Sequence, residues 1–241
     1  MPLWHGGVAD YGGSLSVRGR NGITPMSVSG LQLWFDASDA SSFTYSSGSI
    51  VSQWNDKSGN SRHATQADTG AQPVRDHTWN SLSVVAFKDA GDWLANAGYT
   101  IPSASTVLAV VGRRTGATAY FQWLSGPTTN MSVFANTTGT VRINTVDTAT
   151  GATAVPVTTQ SLLTTTATTA EQTVRFNRAA DGSSSTASTF SAAGFALGAG
   201  DSTGAFPGNG FIGELLLYSS VLGTRDRDNL ETYLRNKWAT P

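Results

Sequence analysis

Three glutamates, three histidines and a scatter of aspartates carry whatever acid, base or nucleophile chemistry this sequence holds. Cleaving a polysaccharide takes two carboxylates facing one another across the scissile bond, about 5–5.5 Å apart in retaining enzymes and wider in inverting ones. On a strand, such a pair comes from acids at even spacing, which share one face. Glu171, Glu214 and Glu231 instead stand singly, and Leu216 occupies the second place after Glu214. Glu214 has the strongest claim of the three, and its preferred account is structural: an ion pair, or a carboxylate that accepts backbone amides. His5, His63 and His77 fall in neither a G-x-S-x-G elbow nor an H-E-x-x-H helix and read as exposed loop residues. No helix and no Lys-Ser/Thr follow Gly198, Gly200 and Gly204, which therefore mark a loop and not a phosphate cradle. These residues predict a chain that is not an enzyme.

Binding chemistry is better represented. Oxygen-rich loops hold calcium through carboxylates and carbonyls, but Asp36, Asp39, Asp56, Asp89 and Asp92 make no D-x-D-x-D-G loop. A calcium ion is possible and is not predicted; no other metal or cofactor is expected. Sugars offer C–H patches and hydroxyls together, so their receptors set flat aromatic faces beside planar polar groups. Of seven tryptophans, Trp34, Trp54 and Trp238 lie in periodic segments and read as core. Trp79, in Asp76-His77-Thr78-Trp79-Asn80, and Trp93 have polar neighbours; with His77 they are the candidate carbohydrate platform, against an alternative as rim residues packed on adjacent loops.

Composition narrows the partners. The 241 residues carry 15 basic and 16 acidic side chains, a net charge of -1, so no long-range field recruits a polyanion or an acidic membrane surface. Nucleic acid and membrane are therefore excluded as general partners. There is no cysteine, which removes disulfides, thiolate metal sites and a cysteine nucleophile together. Charged residues are 13% of the chain, about half the usual ~25%, with Ser, Thr, Asn and Gly in their place. No apolar run is long enough for a membrane span, and the first residues lack the basic and apolar regions of an export signal.

The elements that must position these side chains are mostly strands. Residues 1–29 are glycine-rich and without period; they form an N-terminal arm in which Trp4, Tyr11, Arg18 and Arg20 are the candidate docking residues. From residue 30 onward short apolar segments recur, among them Leu31 to Phe35, Ile50–Trp54, Leu82–Phe87, Thr106–Gly112, Ala119–Leu124, Met131–Phe134, Val141–Val146, Thr173–Phe176 and Phe211–Tyr218. Turn chemistry separates them, at Asp56-Lys57-Ser58-Gly59, Thr150-Gly151 and Asp181-Gly182 for example. Thr158 to Thr169 reads as an edge strand or a long loop. Thr224 to Trp238 breaks the rhythm as a helix, capped by Thr224, with an apolar stripe of Leu230, Tyr233, Leu234 and Trp238. The expectation is all-β: a two-sheet antiparallel sandwich over residues 30–241, with a C-terminal helix at 224–238.

Leu33-Trp34-Phe35-Asp36, then Gln53-Trp54-Asn55-Asp56-Lys57-Ser58-Gly59-Asn60 and His63-Ala64-Thr65-Gln66, resembles the opening of concanavalin A-like, laminin-G-type jelly rolls. The closing block Phe211-Ile212-Gly213-Glu214-Leu215-Leu216-Leu217-Tyr218, with the helix through Tyr233-Leu234 to Trp238, is similar too. The resemblance implies two stacked antiparallel sheets, in a family common on bacteriophage and bacterial surfaces. Fold alone does not assign chemistry. The first expectation is a bacteriophage virion surface protein, a head decoration or a tail or fibre component made in the host cytoplasm. Its arm would dock on other virion proteins, its jelly roll would stabilise the shell or adhere to host or environmental glycans, and it would form a homo-oligomer. The alternative is a free carbohydrate-binding lectin module, and the third possibility a polysaccharide hydrolase.

Overall fold

The computed structural model describes residues 22–88, 91–114, 121–126, 132–144, 148–185, 192–201, 203–206 and 208–241. Its first strands are β1 (Leu31–Asp36), β2 (Phe43–Ser47), β3 (Ile50–Trp54), β4 (Ala64–Thr65), β5 (Val74–Trp79) and β6 (Leu82–Phe87). Next come β7 (Leu94–Ile101), β8 (Ser105–Arg113), β9 (Phe121–Ser125), β10 (Ser132–Ala135), β11 (Thr140–Asn144) and β12 (Thr148–Ala154). The chain continues through β13 (Ser161–Ala167), β14 (Gln172–Phe176), β15 (Ala179–Ser184), β16 (Ala192–Leu197) and β17 (Gly210–Tyr218) to the helix α1 (Thr224–Trp238).

The strands form two antiparallel layers. In one, β17 pairs along its whole length with β8, and β8 continues through β13 and β14 to β15. The other edge of β17 is shared: Gly210–Ile212 pair with β6, and Glu214–Tyr218 with β1. The second layer runs from β7 through β16 and β9 to β10, β11 and β12. β3 joins the layers at one corner, with β2 along one edge and β4 and β5 sharing the other.

Every residue of β17 is buried, and so is β8 up to its last residue. Their near-continuous apolar runs are what a strand covered on both faces requires. The outer cover is α1, whose Leu230, Tyr233, Leu234 and Trp238 are buried. Trp238 lies over β17 where Gly213 leaves room; a β-carbon there would stand 3.1 Å from the indole ring. Ahead of β1, Pro25–Ser27 form a 3-10 turn, Val28 is buried, and the Tyr218 hydroxyl donates to the Pro25 carbonyl at 3.0 Å.

The all-β sandwich and its closing helix follow the sequence reading, and several local assignments do not. The threonine run is neither edge nor loop: β13 lies between β8 and β14, and Thr164 and Thr165 are buried. Thr150-Gly151 and Asp181-Gly182 are strand residues of β12 and β15, not turns. Their glycines let the two layers close on each other, since a β-carbon on Gly182 would meet the Thr150 carbonyl at 2.1 Å. The cap of α1 is Gly223 and makes no side-chain bond, so Thr224 opens the helix without capping it.

Candidate functional site

The sequence of α1 puts charge on two faces. Four-residue steps align Arg227, Glu231 and Arg235 on one face, while Lys237 goes with the buried stripe. The first row faces the β14–β15 hairpin, whose loop is the two residues Asn177 and Arg178. Both have positive φ, +46° and +75°, as a type I′ turn requires. Asn tolerates this readily; an arginine at the second position stands where glycine normally does, at a cost of about 1 kcal/mol. The loop is held from beneath: Leu162 donates to the Asn177 side-chain oxygen at 2.9 Å, and Asn177 N–H donates to the Leu162 carbonyl at 2.8 Å.

Arg175 pairs with Thr164 and so shares its helix-facing side of the sheet, and beside it a bulge at Asp181 of β15 shifts the hairpin register. There Arg175 Nε donates to Glu231 Oε1 at 3.0 Å, and another guanidinium nitrogen donates to the Arg178 carbonyl. Glu231 is fully buried, also accepts from Thr164 Oγ1 at 2.8 Å, and lies 3.7 Å from Arg178 Nε. It therefore forms a floor that orients two guanidinium groups from below. Arg227 pairs with its neighbour Asp228 at 2.9 Å. Arg235 is exposed, and no hydrogen bond or ion pair holds it among the described residues.

These side chains line an open depression of about 490 Å³ formed by Arg175, Asn177, Arg178, Arg227, Asp228 and Arg235, with Pro241 at its rim. A second depression of about 430 Å³ adjoins it, sharing Arg175 and Arg227 and continuing past Thr173, Asp181, Gly182 and Ser183. Asp181 lines this stretch as well, its carboxylate accepting Thr153 N–H and Oγ1 on β12. The result is one groove with an arginine-rich end and a hydroxyl-bearing end that also carries the Asp181 carboxylate.

The other face of α1 closes a buried ionic cluster. Glu214, on β17, accepts from Trp34 Nε1 at 2.8 Å, Tyr233 hydroxyl at 3.0 Å, Lys237 Nζ at 2.7 Å and Trp238 Nε1 at 2.7 Å. Lys237 Nζ also lies 2.7 Å from Asp36, which pairs with Lys57, which in turn pairs with Asp39. Burial and the Asp36 charge raise the Glu214 carboxyl above its ordinary range, outweighing Lys237 and Trp238. Burial also pushes Asp36 upward, yet Lys237 and Lys57 prevail and hold it below. Burial and Glu214 move the Tyr233 hydroxyl far upward, so it stays a donor. Four donors on a carboxylate with no exposed surface leave no approach for a substrate, which agrees with the structural account of Glu214.

The aromatic platform expected from the sequence is not assembled. Trp79 is only 4% exposed; its indole N–H donates to the Thr158 carbonyl at 3.3 Å and its ring meets Phe211 edge-on. It belongs to β5 and points inward because the strand alternates, its polar neighbours facing out. His77 is on the same strand, half-buried and stacked on Phe211 at 4.6 Å, not in a loop. His63 is half-buried as well, its Nδ1 accepting Asp56 N–H at 3.1 Å. Trp93 is half-buried away from these two, its indole against Gly204. Trp4, Tyr11, Arg18 and Arg20 lie outside the described residues. Of the calcium-type acids, Asp36 and Asp39 are occupied by lysines, Asp56 accepts Trp34 and Ser58 N–H groups, and Asp92 accepts Lys88 N–H; Asp89 is outside the described residues. Among the described residues no group of three His, Asp or Glu gathers to hold a metal, and no helix is long and apolar enough to cross a membrane.

The arginines escaped the sequence reading because they come from two elements about 50 residues apart. Two local signals were present: Asn177-Arg178 at a hairpin step, and the Arg-Glu-Arg row at four-residue spacing.

No protein-family model matches the chain, and no curated protein matches it. Its fold is similar to that of solved structures. A Trypanosoma rangeli sialidase in complex with sialic acid superposes with a TM-score of 0.60 at 12% identity, over 88% of this chain and 34% of that one. The binding domain of botulinum neurotoxin DC in complex with SialylT gives 0.58 at 8% identity, over 86% and 52%. Botulinum neurotoxin type C, described with two ganglioside molecules, gives 0.57 at 8%, over 85% and 51%. The chain thus spans about a third of the sialidase and about half of the toxin chains. These likenesses give no support to the expected bacteriophage virion role. They also correct the expectation of a non-enzyme, since sialidases, which are enzymes, are among the structures that share this fold.

Proposed function

We propose that the chain is a carbohydrate-binding module of lectin type, and that the groove between the β14–β15 hairpin and α1 meets the glycan. The carrying observation is that groove: an open, polar, two-part depression presenting fixed guanidinium, amide and hydroxyl groups, on a fold whose neighbours are described with sialic acid, SialylT and gangliosides. Sugar hydroxyls need such convergent, pre-oriented donors and acceptors, because flexible ones lose their gain to ordering entropy. The virion version of this reading depends on the N-terminal arm, most of which lies outside the described residues, so the free lectin is the version carried forward.

Glycan-array binding of the full chain tests the proposal. Saturable binding to a defined set of oligosaccharides, reduced by substitutions at Thr173 or Arg235, is the expected result. Binding to no oligosaccharide, or binding indifferent to both substitutions, overturns it.

A further inference from the structure

We infer that the groove selects acidic glycans, those bearing a carboxylate or a sulfate, and seats the anionic group at its arginine end; this rests on the glycan-binding reading above. Three independent features of the site point there. The first is charge placement. The chain as a whole carries a net charge of -1, yet four of its 15 basic residues line one depression. Among the side chains of that depression the four arginines, Arg175, Arg178, Arg227 and Arg235, face Asp228 and the buried Glu231, an excess of two positive charges, which Asp181 in the adjoining depression reduces to one over the whole groove.

The second feature is orientation. Glu231 takes Arg175 from below, with a second Arg175 nitrogen held by the Arg178 carbonyl, and lies 3.7 Å from Arg178 Nε, so a carboxylate floor fixes these planar groups where they line the groove. Arg178 keeps one third of its side-chain surface exposed despite the ion pair. Guanidinium forks match carboxylate and sulfate oxygens in bidentate fashion, which a point-charge ammonium does not. The third is the turn. Arginine occupies a left-handed position that glycine would fill without strain, and the cost is offset only if the side chain is used.

The adjoining depression continues the ligand path with Thr173, Gly182 and Ser183 and with the Asp181 carboxylate, which accepts from Thr153 and disfavours a second anion at this end. Neutral sugar hydroxyls suit that end. An acidic terminal sugar with one or two neutral residues behind it therefore fits the groove in a single direction.

Titration calorimetry of the full chain with lactose, 3′-sialyllactose and 3′-sulfolactose, alongside array binding of further acidic glycans and their neutral parents, tests the inference. The acidic members should bind about tenfold tighter or better than their parents, the gain that a hydrogen bond to a charged group supplies. Binding of the sialylated member alone assigns the carboxylate as the anion, of the sulfated member alone the sulfate, and of both an oxyanion in general; each supports the inference. Arg235→Gln and Arg227→Gln should each weaken acidic binding about tenfold. Arg225→Gln removes the same charge from an exposed position outside the groove and should leave it unchanged. Equal affinity for acidic and neutral members overturns the inference while the glycan-binding proposal stands. An Arg225→Gln loss as large as that of Arg235→Gln overturns it too, because attraction is then general and not local. Binding to no glycan at all removes both.

Discussion

Glu214 and Glu231 are both carboxylates with no exposed surface, and both are met by α1, yet their surroundings are built on opposite plans. Around Glu214 every oxygen is matched by a donor, and the neighbouring charges alternate through Lys237, Asp36 and Lys57 to Asp39, reaching solvent only at that far end. Around Glu231 the cations outnumber the acid, and the excess faces a groove. A balanced, closed cluster fixes where the helix sits. An unbalanced, open one keeps binding capacity, because a charge that is already neutralised has little left for a ligand.

The largest effect that separates the two sites is expected at Glu214. Glu214→Gln puts an amide donor among four donors and leaves Lys237 with Asp36 as its one carboxylate partner, so a loss of about 3–5 kcal/mol in chemical denaturation is predicted. A loss under about 1 kcal/mol would show that the cluster does not hold the helix. Glu231→Gln should cost about 2–3 kcal/mol, because a charge-assisted contact to Arg175 is lost, and should weaken acidic-glycan binding as the guanidinium groups lose the floor that orients them. Kept or tighter binding by a folded Glu231→Gln would mean that charge matters more than orientation.

Arg178→Gly should change stability by less than about 1 kcal/mol, since relief of the positive φ offsets a pair 3.7 Å long, and still weaken binding to acidic glycans. Smallest is the pH response of the closed cluster. Lys57 hydrogen bonds hold the Asp39 carboxyl at about 2 against the opposing effect of burial, and Asp36 is likewise lowered. A lowered folded value stabilises above the unfolded value of about 4 and is lost as pH falls toward 2. Thermal melts across that window should therefore decline, and Asp39→Asn should flatten the decline.

Legibility in the sequence followed physical regularity. Ile50–Trp54, Leu82–Phe87 and the helix Thr224–Trp238 were read at their observed bounds because alternation and helical period are properties of neighbouring residues. β13 was misjudged because its threonines do not alternate: it is covered on both faces, and Thr164 and Thr165 are both buried. Trp79 was misjudged because its sequence neighbours are polar, while β5 sends them to the opposite face. The structural role of Glu214 was legible as an ion pair, although side chains and not backbone amides serve it. The arginine groove was not legible, because its members meet only when the hairpin and the helix have found each other.

The closed cluster also sets an order of events during synthesis. Trp34 and Asp36 leave the ribosome early, but the carboxylate that binds Trp34 lies at position 214 and the ammonium shared with Asp36 at 237. β1 has no edge to join until β17 has emerged. The nascent polypeptide must therefore carry an unfinished first layer while the residues between β1 and α1 are made, and the domain is completed only once Trp238 has left the ribosome.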